Sequence, residues 1–156
     1  MQNIITEART LQRDIEQYVC HLEEENMDVA EWSGRQADIA KRMHELAAQN
    51  TSSDEEEAEV CVAALLGSGV TIRDEKFTDR MVKRALKVLK RLQEPALRCR
   101  LLVLCFGETY DEAQAEEARR ILNRWPENVS ATLKASLTEL LSILETDVAL
   151  TMGYPD

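Results

Sequence analysis

The chain is short of the residues that build sheets, tight turns and catalytic centres. Of its 156 residues, 4% are aromatic, 5 are glycine and 3 are proline. So few turn formers leave little room for the frequent reversals of an all-β fold, while the wealth of Ala, Leu, Glu, Lys and Arg favours helix. The longest uncharged apolar run, Val60 to Thr71, is too short to cross a bilayer. The first residues, MQNIITEARTLQRDIEQ, carry early acids and lack the apolar core of a signal peptide, so a cytoplasmic protein is expected. Histidine is nearly absent, with only His21 and His44. The four cysteines (Cys20, Cys61, Cys99, Cys105) form no C-x-x-C pair and have no matching histidine pair, which excludes the usual zinc spacings. Each lies among apolar helical residues, so reduced, buried thiols are expected. The acidic runs at 23–25 and 54–57 have the density of a metal site but not its pattern, because adjacent acids on a helix point to different sides. The sequence therefore nominates no catalytic, cofactor-binding or metal-binding residue, and no cofactor is expected.

The stretch EVCVAALLGSGVTIRD (59–74) tests this absence, since Gly67-Ser68-Gly69 stands near Cys61. A dinucleotide loop places G-x-G-x-x-G before a helix, with amides facing phosphate. Here the glycines follow an apolar helical run, no third glycine comes at the required step, and no Gly-Lys-Ser/Thr follows. They read as a helix terminator with a left-handed stop.

What is present is helical periodicity. Apolar positions predict seven helices: residues 3–22, 35–49, 54–66, from about 74 or 78 to 93, 95–107, 111–125 and 130–145. The expected fold is all-α, a compact bundle of about seven helices in antiparallel pairs, forming a single domain over residues 1–156. The stretch NTSSDEEE (50–57) is the clearest break, with Ser53 and Glu56 spaced as a capping box. Pro95 opens the fifth helix, whose run from Leu101 to Phe106 is apolar nearly all round, as suits a central element. The tail 147–156 is expected to fray.

Charge is divided unevenly. Residues 1–60 hold 15 acidic and 5 basic side chains, net −10; residues 61–126 hold 9 and 13, net +4; residues 127–156 hold 5 and 1, net −4. The overall balance of −10 disfavours direct binding to nucleic acid. Between Lys76 and Arg100, however, 9 basic residues meet 2 acidic ones. Arg80, Lys83, Arg84, Lys87, Lys90 and Arg91 recur at helical steps opposite the stripe Met81, Ala85, Val88, Leu89, Leu92. This is either a solvated helix face or an electrostatic docking surface. No aromatic platform lies between Arg80 and Arg91, so a protein partner is favoured over single-stranded RNA. These six residues are the candidate partner-binding site.

Two other readings are open to the residues alone. FGETYDEAQAEEARRILNRWPEN (106–128) has the flavour of a tetratricopeptide helix pair, which would make a generic helical-repeat adaptor. No second copy follows at the repeat distance. An enzyme would need a site at the corner holding Cys105, Glu108, Tyr110 and Asp111, residues equally suited to capping and packing.

The block Asp54–Trp125 resembles the UpxZ family of transcription antitermination antagonists. The likeness runs through DEEEAEVCVAALLG, the link VTIRD, the helix VKRALKVLKRL and PALRCRLLVLCFGETYDEAQAEEARRILNRW, and is most specific from Leu101 to Asp111. Residues 1–50 are more divergent. The resemblance implies a small, non-enzymatic cytoplasmic regulator encoded in a capsular polysaccharide locus. Its partner would be a NusG-like antitermination factor of another capsule locus, bound and inhibited as a protein.

Overall fold

Short polar signals set the helix boundaries. The computed structural model describes residues 3–23 and 28–151, and the side chains of all of these but 21–23. The side chain of His21, the acidic side chains at 23–25 and the tail beyond Thr151 lie outside the described residues. Seven helices follow one another: α1 (Ile4–Glu23), α2 (Val29–Ala47), α3 (Asp54–Ser68), α4 (Glu75–Leu89), α5 (Pro95–Thr109), α6 (Glu112–Asn123) and α7 (Ala131–Thr151). No strand occurs among the described residues. The all-α fold of paired helices is as the sequence predicts.

Most starts are capped by an acid or a serine that accepts a backbone N–H otherwise left without a partner. Ser53 Oγ accepts from Glu56 N at 3.1 Å. The returning half of that capping box is slipped by one residue, with Glu56 Oε1 accepting from Ser52 N at 2.8 Å and from its hydroxyl at 3.0 Å. Asp74 caps α4, Glu94 caps α5 ahead of Pro95, and Asp111 caps α6.

Several boundaries differ from the sequence reading, and α5 runs on through Gly107 to Thr109. Helix α2 starts at Val29 rather than Arg35, because Asp28 accepts from Glu31 N at 2.8 Å and outweighs the cost of Gly34 inside the helix. Helix α4 ends at Leu89, four residues earlier than the charge pattern suggested. Helix α7 continues to Thr151, with Val148 buried, so residues 147–151 are helical rather than frayed. Gly67 and Ser68 stay within α3, and the cap Gly69 is right-handed at φ −77°, so no left-handed stop is used. The glycine at 67 serves close approach instead: a Cβ there would stand 2.5 Å from Met43 Sδ and within 3.7 Å of Ile15.

The helices fall into two compact units, Met1–Lys90 and Arg91–Asp156. In the first, α3 packs against α1, α2 and α4. Its residues Ala58 to Leu65 are all buried, which follows from a sequence that is apolar on every side. Polar contacts fix the register around it. Glu59, 2% exposed, accepts from Arg9 Nε at 2.6 Å and from Gln12 Nε2 at 3.1 Å, joining α1 to α3. In the second unit, α5 takes the central place between α6 and α7, with Leu101, Leu102, Val103, Cys105 and Phe106 buried. Arg98 pairs with Glu117 to join α5 to α6, and Arg119 pairs with Glu145 to join α6 to α7.

Candidate functional site

The face of α4 opposite its core is where the sequence places contact with a partner. Phe77, Met81, Ala85, Val88 and Leu89 are buried, and the helical period turns Lys76, Arg80, Lys83, Lys87 and Lys90 to solvent. All five are exposed. The four lysines form no ion pair within 4.0 Å among the described residues. From Lys76 to Lys90 the row spans about 21 Å at the helical rise. Arg80 stands over the Phe77 ring, 5.6 Å from its centroid, which steadies its guanidinium at the start of the row. A depression of about 550 Å³, lined by Asp74, Lys76, Phe77, Asp79, Arg80 and Lys83, opens at that end.

Of the six candidate residues, Arg84 does not share this face and Arg91 lies beyond the helix. Arg84 is turned inward: its Nε and Nη2 donate to the two Glu57 carboxylate oxygens at 2.9 and 2.6 Å, and Nη1 donates to Ala47 O at 2.8 Å. It ties α4 to α3 and to the end of α2. The Arg84 hydrogen bonds hold the Glu57 carboxyl below its usual range against the opposing effect of burial, and a hydrogen bond from Thr51 adds to them. Arg91 lies past the end of α4, in the second unit. The spacing alone could not separate Arg84 from the lysines. The discriminating signal is Glu57, 27 residues away in sequence.

The remaining chemistry-bearing residues have structural employment. His44 is half exposed, with Nδ1 2.7 Å from Ala40 O and its ring 4.1 Å from that of Phe77. At the corner after α5, Tyr110 is the left-handed C-cap at φ 59°, and Asp111 Oδ1 accepts from Ala113 N at 3.0 Å. Thr109 Oγ1 donates to Gln114 Oε1 at 2.7 Å. Cys105 is fully buried, and burial, helped by Glu108, pushes its thiol up to about 12. A thiol so held is protonated at neutral pH and is no nucleophile. No group of three His, Cys, Asp or Glu side chains able to hold a metal occurs among the described residues.

The expectation of four buried thiols needs one correction. Cys61, Cys99 and Cys105 are buried, but Cys20 is exposed near the end of α1. Titration of the native protein with a thiol reagent should show one fast thiol and three that react only on unfolding. Cys105→Ser should lower stability by about 1–3 kcal/mol, read from urea unfolding, because a hydroxyl would be left in an apolar site.

Comparison with known proteins bears on the fold and the family. Among curated proteins none matches the chain. A crystal structure of a transcription anti-terminator antagonist, UpxZ from Bacteroides uniformis ATCC 8492, superimposes with a TM-score of 0.82 at 22% identity. The alignment covers 99% of this chain and 100% of that one, so the two share a fold throughout. Residues 8–107 match the UpxZ family of transcription anti-terminator antagonists. The match takes in α1 and α2, which the sequence reading set apart as divergent, and stops short of Trp125. With most of its length matched, the chain is a member of the UpxZ family of transcription anti-terminator antagonists.

Proposed function

We propose that this protein binds and inhibits NusG-like antitermination factors made by other capsular polysaccharide loci. It acts in the cytoplasm as a stoichiometric, non-enzymatic antagonist, and so keeps such a factor from assisting RNA polymerase through the leader of its operon. Family membership supports the antagonist role. The observation that supports a docking mode is the exposed basic row Lys76, Arg80, Lys83, Lys87 and Lys90 on α4. Rows of like charge on a rigid helix speed association with a complementary partner and reject wrong ones more than they add raw affinity. The matching surface on the factor is acidic. No helix is long and apolar enough to cross a membrane among the described residues, and no membrane contact is invoked.

Transcription in vitro through a factor-dependent leader tests the antagonist role. Read-through should fall in proportion to added protein and vanish near one copy per factor. Inhibition at far below one copy per factor would point to turnover and contradict the reading.

A further inference from the structure

The inner face of α2 is an apolar stripe, interrupted at Gln36, that outruns its cover. Val29, Trp32, Gln36, Ile39, Met43 and Leu46 follow at alternating steps of three and four, the spacing of one helical face. Ile39, Met43 and Leu46 are buried, and α2 lies against α3. Gln36 marks the limit of that cover, its Nε2 donating to Val70 O at 2.9 Å just beyond the end of α3. Past it the same stripe emerges: Trp32 is 40% exposed and Val29 is 74% exposed. These two turns of helix, about 10 Å, extend beyond the cover that α3 provides. Ile72, two residues beyond Val70, is 87% exposed. Beneath lies Tyr18 of α1, 1% exposed, whose hydroxyl has no hydrogen-bond partner among the described residues. The Trp32 indole is beside it without closing a bond of normal geometry.

Large apolar side chains continuing a buried seam into solvent, with a tryptophan at the centre, have the composition of an interface hot spot. The charges around them select the occupant. Asp28, Glu31 and Asp38 are exposed, with Arg35 paired to Glu31 at 3.5 Å and Arg42 to Asp38 at 3.3 Å. Residues 1–60 as a whole carry −10. A second copy of this acidic end is repelled.

We propose that the N-terminal half of α2, with Val29 and Trp32 as anchors, is a second protein-docking surface. Its occupant is a basic amphipathic helix of a partner protein, laid over the exposed stripe as α3 covers its lower part. The surface lies at the other end of α2 from the Arg84–Ala47 contact and does not depend on the α4 face. One protein would then hold an acidic partner surface at α4 and a basic helix at α2.

The protein has two tryptophans, so the Trp125→Phe variant leaves Trp32 as the sole indole reporter. The probe is a short amphipathic helical peptide of leucine and lysine, compared with its counterpart carrying glutamate for lysine. The lysine peptide should shift Trp32 emission to the blue, saturably, and less so in high salt. Val29→Ser should weaken that binding several-fold, with a little-changed circular-dichroism melt, since Val29 makes little contact in the fold. No shift, an equal shift with the glutamate peptide, or equal binding by Val29→Ser would overturn the proposal. So would emission that depends on protein concentration together with a dimer in sedimentation, which would make a second copy the occupant.

Discussion

Replacing Arg80, Lys83, Lys87 and Lys90 together by glutamate is expected to weaken binding to an antitermination factor by roughly a hundredfold or more, because like charges placed in an interface cost several kcal/mol. The far-UV circular dichroism should be unchanged, since all four side chains are exposed and glutamate is a good helix former. The same positions as glutamine remove attraction without adding repulsion, and should cost less affinity than the reversal does. Added salt should weaken the wild type while affecting the glutamine variant little. If the reversal binds as tightly as wild type, the basic row is only a solvated face and the docking mode is wrong.

Arg84 belongs to a different experiment. Arg84→Met is expected to lower stability by about 2–4 kcal/mol, in the range for removing one partner of a mostly buried ion pair. It strands the Glu57 carboxylate, which is 19% exposed, and frees the carbonyl of Ala47. The cost should have a pH signature. In the wild type the Glu57 pKa is lowered on folding by the Arg84 hydrogen bonds, so its contribution is present above the unfolded carboxyl pKa. That contribution is lost as pH falls through the folded value. Glu117, held low by Arg98 in the second unit, contributes with the same sign. The difference in unfolding free energy between wild type and Arg84→Met should therefore shrink on acidification, as measured by urea unfolding. A constant difference across that range would mean the pair contributes through packing alone. Binding to a partner should be little changed in folded Arg84→Met, in contrast with the four-residue reversal.

These two experiments divide a set of residues that looks uniform in sequence. The steps from Arg80 to Lys90 place every cation off the apolar stripe, and that much is legible from periodicity. Whether an arginine at the edge of the stripe turns outward or inward depends on what faces it, and Glu57 is brought there only by the packing of α3 on α4. Helix starts are legible at Ser53, from its capping box, and at Pro95, from the place of proline in a first turn. The start at Asp28 is not, because the polar run before it and Gly34 after it look like a boundary. Gly67 was read for its backbone freedom and serves instead by lacking a side chain. The apolar run Val60 to Leu65 is legible as part of a helix over 54–66, but its place at the centre of the first unit, as Leu101 to Phe106 is of the second, comes from packing. The basic face itself could be found from sequence. The uncovered end of α2 could not, since only the end of α3 makes Val29 and Trp32 stand out from the buried residues of the same stripe.

The central claim is antagonism by direct protein binding, and it is tested most directly by calorimetric titration against several NusG-like antitermination factors. One factor should come from the protein's own locus and the others from different capsule loci. The account predicts saturable one-to-one binding to factors of other loci, with little or none to its own, and affinity that falls as salt is added. Binding to none of them, or equal binding to all including its own, would contradict it.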